Sequence, residues 1–231
     1  MMFLRSKAMG QMITMRMADG FGLGAYTSSP TAGASMGVVV VIQEIFGVNA
    51  HIREVADGYA AKGYTAIAPA LFDRIDSDIQ LGYTEADMGT GIDLAFQKLQ
   101  MPQTLADLQS VVDYAGEQGS VGVVGYCFGG LLTYLSACKI KGVTAASSYY
   151  GGGIAGMLDQ TPQCPLIMHF GELDAHIPMS DVEKIRAAHP DVPVNVYAAD
   201  HGFNCDHRAS FDEAASTLAL SRTLAHFEAH L

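Results

Sequence analysis

The tightest constraint on this fold is Gly125-Tyr126-Cys127-Phe128-Gly129-Gly130, set directly behind the apolar run Val121-Gly122-Val123-Val124. The run reads as a buried strand and the glycines as a sharp turn. A helix is expected over 129–138. Such a turn strains the backbone of its apex residue. Small neighbours let strand and helix approach closely beneath it. The apex is a thiol. The following helix aims free N–H groups and its positive dipole end at the sulfur, which favours thiolate. The competing reading is a buried cysteine in an ordinary strand-to-helix turn, and the hexapeptide alone does not decide between them.

Two later segments do. Leu166–Phe170 is an apolar strand running into Gly171-Glu172-Leu173-Asp174, a loop that presents an acid. Val194–Ala198 is another strand, followed by Asp200-His201-Gly202-Phe203. Each loop sits just after a predicted strand, where a parallel sheet places its active-site groups. Glu172 and Asp174 compete for the acid role. Two residues apart in extended chain, they point to different sides, so only one can face His201. With Asp174 the order is Cys127, Asp174, His201. It resembles the nucleophile–acid–histidine order of α/β-hydrolases, whose elbow G-x-S-x-G here carries cysteine for serine.

A chain of 231 residues can bury the core of one large α/β domain. The expected division is a loose extension over 1–11 and a single domain over 12–231. The formal net charge of −11 argues against a nucleic-acid partner or an anionic membrane surface. No run approaches the ~18 apolar residues of a membrane span, and no apolar segment before Gly10 suggests a secretory signal. Cys127, Cys138, Cys164 and Cys205 form no disulfide framework, so reduced thiols in a cytoplasmic setting are expected. A monomer or small homo-oligomer is expected.

Strand and helix alternate without repeats. A hairpin is expected around Ala18-Asp19-Gly20, strands over 37–43, 64–69 and 143–149, and a helix over 51–62 capped by Asn49. Thr104-Leu105-Ala106-Asp107 resembles a capping box opening a helix to about 118. Helices over 180–189 and from about 210 to near 231 complete the pattern. The segment 71–91 reads as a long loop or short helical pieces that wall the active site. The alternation predicts a mainly parallel sheet with helices on both faces, the α/β-hydrolase architecture.

Glu44 comes straight off the buried strand Val39–Gln43, and a carboxylate there costs several kcal/mol unless hydrogen-bonded. Its position lies near the nucleophile. The alternative is a helix-capping or surface glutamate.

Gln43-Glu44-Ile45-Phe46-Gly47-Val48-Asn49, the elbow hexapeptide, Tyr149-Tyr150-Gly151, Gly171–Asp174 and His201-Gly202-Phe203 together resemble the dienelactone hydrolases (carboxymethylenebutenolidases). The resemblance runs from about residue 13 to the C-terminus. It implies that Cys127 is the nucleophile, His201 the base and Asp174, rather than Glu172, the residue orienting it. It implies that Glu44 helps generate thiolate, that the N–H groups of Ile45 and Phe128 form an oxyanion hole, and that Arg74 binds a substrate carboxylate. The family's second arginine follows the histidine by four residues. Here that position is Cys205, with Arg208 three residues further on as the candidate replacement. Tyr150, beside the turn Gly151-Gly152-Gly153, is expected at the pocket as a further substrate-binding residue.

The chemistry is acyl transfer to water through a thioester, and a thiolate suits activated esters and lactones better than peptides. His201, Cys205 and His207 offer soft ligands on one segment. Without a C-x-x-C or H-E-x-x-H partner, no metal is expected, and no organic cofactor. His169 reads as a satisfied core histidine, and His176 as a candidate at the pocket wall. The expected activity is hydrolysis of a small lactone or activated ester, most specifically a dienelactone. A thioesterase or broad carboxylesterase on the same triad is one alternative; a non-catalytic binding protein with the same fold is another.

Overall fold

The computed structural model describes residues 10–231. Strands β1 (Gln11–Arg16) and β2 (Gly22–Ser28) form the expected antiparallel hairpin, closed by Met17 N–H donating to Phe21 O at 2.8 Å. Gln11 is therefore already strand, and the rest of the extension expected over 1–11 falls mostly on residues 1–9, outside the described residues. The remaining strands are β3 (Val38–Ile42), β4 (Thr65–Pro69), β5 (Val121–Tyr126), β6 (Val143–Tyr149), β7 (Leu166–Gly171) and β8 (Val194–Tyr197). They form one eight-stranded sheet in the order β1-β2-β4-β3-β5-β6-β7-β8. Only the pairings of β2 with β1 and β4 are antiparallel; from β4 to β8 every neighbour is parallel.

The central strands are buried on both sides because helices cover both faces. Every residue of β3, β4, β5 and β7 is buried. The helices are α1 (Ala50–Ala61), α2 (Glu85–Asp93), α3 (Met101–Gly116), α4 (Phe128–Lys139), α5 (Met179–Ala188) and α6 (Glu213–His230). Tyr59 of α1 packs on Phe227 of α6 with ring centroids 6.2 Å apart, while α3 and α4 pack together and against β3 and β5.

Asn49 caps α1 as expected, its Oδ1 accepting from Ile52 N–H at 3.2 Å. The capping box expected at Thr104 is corrected. α3 starts earlier, at Met101 with Pro102 in its first turn, and Thr104 Oγ1 instead donates back to Gln100 O at 3.1 Å. Pro102 lacks an N–H and suits a first turn, so it outweighs the Thr–Asp spacing. Of the two forms expected for the wall segment, it carries short helical pieces, a 3-10 turn over Leu71–Arg74 and α2, with a π-turn over Leu94–Lys98 following beyond it.

The strand order positions the site. β4 lies on one side of β3 and β5 on the other, so successive connections leave in opposite directions. That reversal opens a crevice beyond the carboxyl ends of β3 and β5. In register, Ile42 of β3 sits opposite Gly125 of β5. Two residues beyond each lie Glu44 and Cys127.

Candidate active site

Cys127 sits between β5 and α4 with φ 56° and ψ −114°. A non-glycine residue there is strained, and the surroundings must hold it. Its N–H donates to Tyr149 O at 3.0 Å, and its carbonyl accepts from Gly130 and Leu131 in the first turn of α4. The flanking glycines are required by contact. A Cβ on Gly125 would run into the Gly129 carbonyl, and one on Gly129 into the carbonyls of Ile42 and Gln43. The elbow is thus locked both to its own helix and to the end of β3.

Asp174 follows β7 and is buried. Its Oδ1 accepts from the N–H groups of His176 and Ile177, at 2.8 and 3.2 Å, which fixes the carboxylate plane. Its Oδ2 lies 2.7 Å from His201 Nδ1. Glu172 is exposed, so of the two acids Asp174 alone faces the histidine. Burial opposes charge on His201, but the bonds to Asp174 and to the Cys127 thiol outweigh it and raise its pKa to about 10. Tyr150, at φ 37°, lays its buried ring 5.1 Å from His201. The exposed His176 ring stands edge-on to His201 at 5.3 Å.

Glu44 is fully buried. Its Oε2 accepts from Tyr83 O–H at 3.1 Å, while Oε1 has no hydrogen-bond partner among the described residues and lies 3.8 Å from Arg208 Nη1. The capping and surface readings of Glu44 are therefore excluded; α1 is capped by Asn49. Arg208 also lies over the Tyr83 ring, 5.8 Å from its centroid. Ile45 and Phe128 supply the two candidate oxyanion N–H groups. Phe128 is the first residue of α4 and has no intrahelical acceptor. Neither N–H has an acceptor among the described residues.

Arg74 is a correction. Its Nε and Nη2 grip the buried carboxylate of Asp107 at 2.9 and 2.6 Å, and Nη1 reaches Asp19 at 2.8 Å. It stacks over Phe21 at 4.1 Å. Its donors are committed to α3 and the β1–β2 hairpin. Arg208 is the guanidinium that reaches Glu44. Cys205, four residues after His201, is fully buried; burial and the Glu44 charge push its thiol up to about 12.

Sequence reasoning missed Tyr83, whose hydroxyl bridges Glu44 and Asn49 Nδ2, the latter at 3.2 Å. The signal was its place in the expected wall, which meets the Glu44 loop where Leu81 N–H donates to Phe46 O. His169 is a core histidine as expected. Its ring nitrogens meet Tyr197 Oη at 2.8 Å and Thr223 Oγ1 at 3.1 Å, and burial pushes its pKa down to about 3.

Residues 23–231 match the Dienelactone hydrolase family. A protein of Synechocystis sp. provisionally named a carboxymethylenebutenolidase is 37% identical over 229 residues, covering 90% of this chain and 92% of that one. The Pseudomonas putida carboxymethylenebutenolidase is 33% identical over 222 residues, covering 92% of this chain and 93% of its own. A Klebsiella pneumoniae crystal structure, provisionally called a dienelactone hydrolase, superposes with a TM-score of 0.83 at 31% identity, covering 96% of this chain and 99% of that one.

Proposed function

The chain belongs to the dienelactone hydrolase family and is a hydrolase acting on ester or lactone bonds; from that premise we propose that it opens a small, activated, carboxylate-bearing lactone through a thioester on Cys127. The observation that carries the reading is the strained Cys127 beside His201, with His201 anchored 2.7 Å from the buried Asp174.

Cys127 Sγ, its proton taken up by Glu44, attacks the carbonyl carbon. The negative charge that develops on the carbonyl oxygen is met by the N–H groups of Ile45 and Phe128. One such donor is worth about 2.7–4 kcal/mol in a protease example. The carbon–oxygen bond of the lactone then breaks and the ring oxygen leaves. An enolate leaving group needs little protonation, which matches a thiolate nucleophile with no strong acid at the leaving atom. Water, deprotonated by His201, attacks the thioester; the carbon–sulfur bond breaks and the thiolate returns. Asp174 holds His201 in the tautomer this requires. Arg208 supplies the charge for a substrate carboxylate, a contact that guanidinium groups make in charge-assisted, often bidentate form.

A panel of cis- and trans-dienelactones beside p-nitrophenyl esters and acyl thioesters tests the reading. The highest kcat/KM is expected for a lactone bearing a carboxylate. A preference for acyl thioesters or neutral esters would replace it with the thioesterase or carboxylesterase reading.

A further inference from the structure

Glu44, His51 and Cys205 come from the loop after β3, the first turn of α1 and the loop after β8. All three are buried, and one donor atom of each lies within 4.8 Å of the other two. Glu44 Oε1 and both ring nitrogens of His51 are buried without a hydrogen-bond partner among the described residues. His51 Nδ1 is 3.4 Å from Asp206 Oδ1 but out of hydrogen-bonding alignment. An imidazole 2% exposed with neither nitrogen satisfied is a costly arrangement. Glu44 Oε1 and one nitrogen of His51 come together beside the Cys205 thiol, and orphaned buried groups brought together in this way call for something that binds them.

Among the described residues no hydrogen bond relieves these atoms. Tyr83 already serves Glu44 Oε2, and Arg208 stands 3.8 Å from Oε1. One carboxylate, one imidazole and one thiol are instead the ligand types of a borderline-soft divalent ion. Ligand atoms around a tetrahedral zinc stand roughly 3.3–3.8 Å apart, given bonds of about 2.0–2.3 Å. Contraction by about an ångström would close the set. With Cys205 as thiolate and His51 neutral, the ligands carry two negative charges and neutralise the ion. The Arg208 guanidinium is the opposing charge, and it has room to withdraw because its side chain is partly exposed. Asp206 and His207 extend the set outward, since His51 also groups with them within 4.8 Å. His51 and Asp206 border a cavity of about 260 Å³, which gives access from the surface.

We propose that Glu44, His51 and Cys205 form a reversible site for a divalent transition metal of the zinc class, and that its occupation stops hydrolysis by engaging Glu44. The second half rests on the catalytic reading of Glu44 given above. The site differs from the His201, Cys205 and His207 grouping that sequence adjacency suggests. His201 is turned to Asp174, and the fold brings Glu44 and His51 to Cys205 in its place. Uptake releases the Cys205 proton, because a coordinating thiol is deprotonated.

The test uses the full chain carrying Cys127→Ala, which removes the other thiol of the crevice. Titration with Co²⁺ under anaerobic conditions should give a near-ultraviolet thiolate-to-cobalt band that saturates at one metal per chain. Zn²⁺ should displace it. Cys205→Ala and His51→Phe, each added to that background, should abolish the band while leaving circular dichroism unchanged. A band that persists in both, or no band in the parent, overturns the site. Misfolding of either variant is met by Cys205→Ser, which keeps the size of the side chain and must also lose the band. With Cys127 intact, Zn²⁺ should suppress turnover and EDTA restore it, while Cys205→Ala should hydrolyse normally and resist Zn²⁺. Saturation without loss of turnover overturns the inhibitory half alone. The binding arm does not depend on turnover, so its failure leaves the hydrolase reading standing. A fully active Glu44→Gln variant would remove the catalytic reading and leave the site.

Discussion

Glu44→Gln separates a catalytic carboxylate from a structural one, because the two roles predict opposite pairs of outcomes. The attraction between Glu44 and Arg208 at 3.8 Å is about 4 kcal/mol at an effective dielectric of about 20. Against it stands the cost of taking the carboxylate out of water, several kcal/mol for a fully buried ion. Among the described residues Oε1 has no hydrogen bond to recover that cost. The amide keeps the shape of the side chain and still accepts from Tyr83. The two electrostatic changes nearly cancel, and net stability should move by no more than about 1 kcal/mol, or about 2–4 °C in Tm for a chain of this size. Turnover is different. An amide cannot accept the thiol proton, and losing a general base costs about 10²–10⁴-fold. The assay pairs a thermal melt with steady-state kinetics on an activated lactone, and adds alkylation of Cys127 by a neutral probe. Tm should barely move, kcat should fall steeply and alkylation should slow. A large drop in Tm with unchanged kcat and unchanged alkylation would show that Glu44 only holds the loop.

The two arginines should divide cleanly. Arg208→Ala should raise KM for a carboxylate-bearing lactone by about tenfold or more while leaving a neutral ester nearly unchanged; equal effects on both would mean that Arg208 serves Glu44 alone. Arg74→Ala should leave KM alone and lower stability by about 3–5 kcal/mol, read by denaturant unfolding, since it strands the buried Asp107 carboxylate. A selective KM effect there would reinstate it as a substrate ligand. His169 should make the fold acid-sensitive. Its folded pKa of about 3 lies below the ordinary 6.5, so the unfolded chain takes up a proton that the folded chain refuses. The stability it confers is complete above about pH 6.5 and is lost as pH falls toward 3. His169→Gln should flatten that slope of unfolding free energy against pH, and an unaltered slope would contradict the assignment.

Much of this was legible in the sequence because local signals and fold agree there. The Val-rich strands, the glycines of the elbow and the Asn49 cap all serve structure and site at once. Asp174 and His201, each just after a strand, accordingly meet at 2.7 Å. Arg74 was misread because its fate depends on Asp107, 33 residues away in sequence and brought close only by the packing of α3. Its spacing from β4 carried no trace of that partner. Thr104 failed for a similar reason, since Pro102 just before it sets the helix start. His51 was read only as a helix residue, yet it and Cys205 are neighbours solely because α1 and the loop after β8 meet above the sheet. Tyr83 lay in a segment whose path no periodicity fixes, so its contact with Glu44 had no sequence signature.

The central claim is that Cys127 carries the acyl group. The most direct measurement is rapid acid quench of the enzyme turning over an activated lactone or ester, followed by peptide mass mapping. The account predicts one acyl adduct per chain, on the peptide containing Cys127 and labile to hydroxylamine, and predicts neither adduct nor turnover in Cys127→Ala. Turnover in Cys127→Ala near the wild-type rate, or an adduct on another residue, would contradict it.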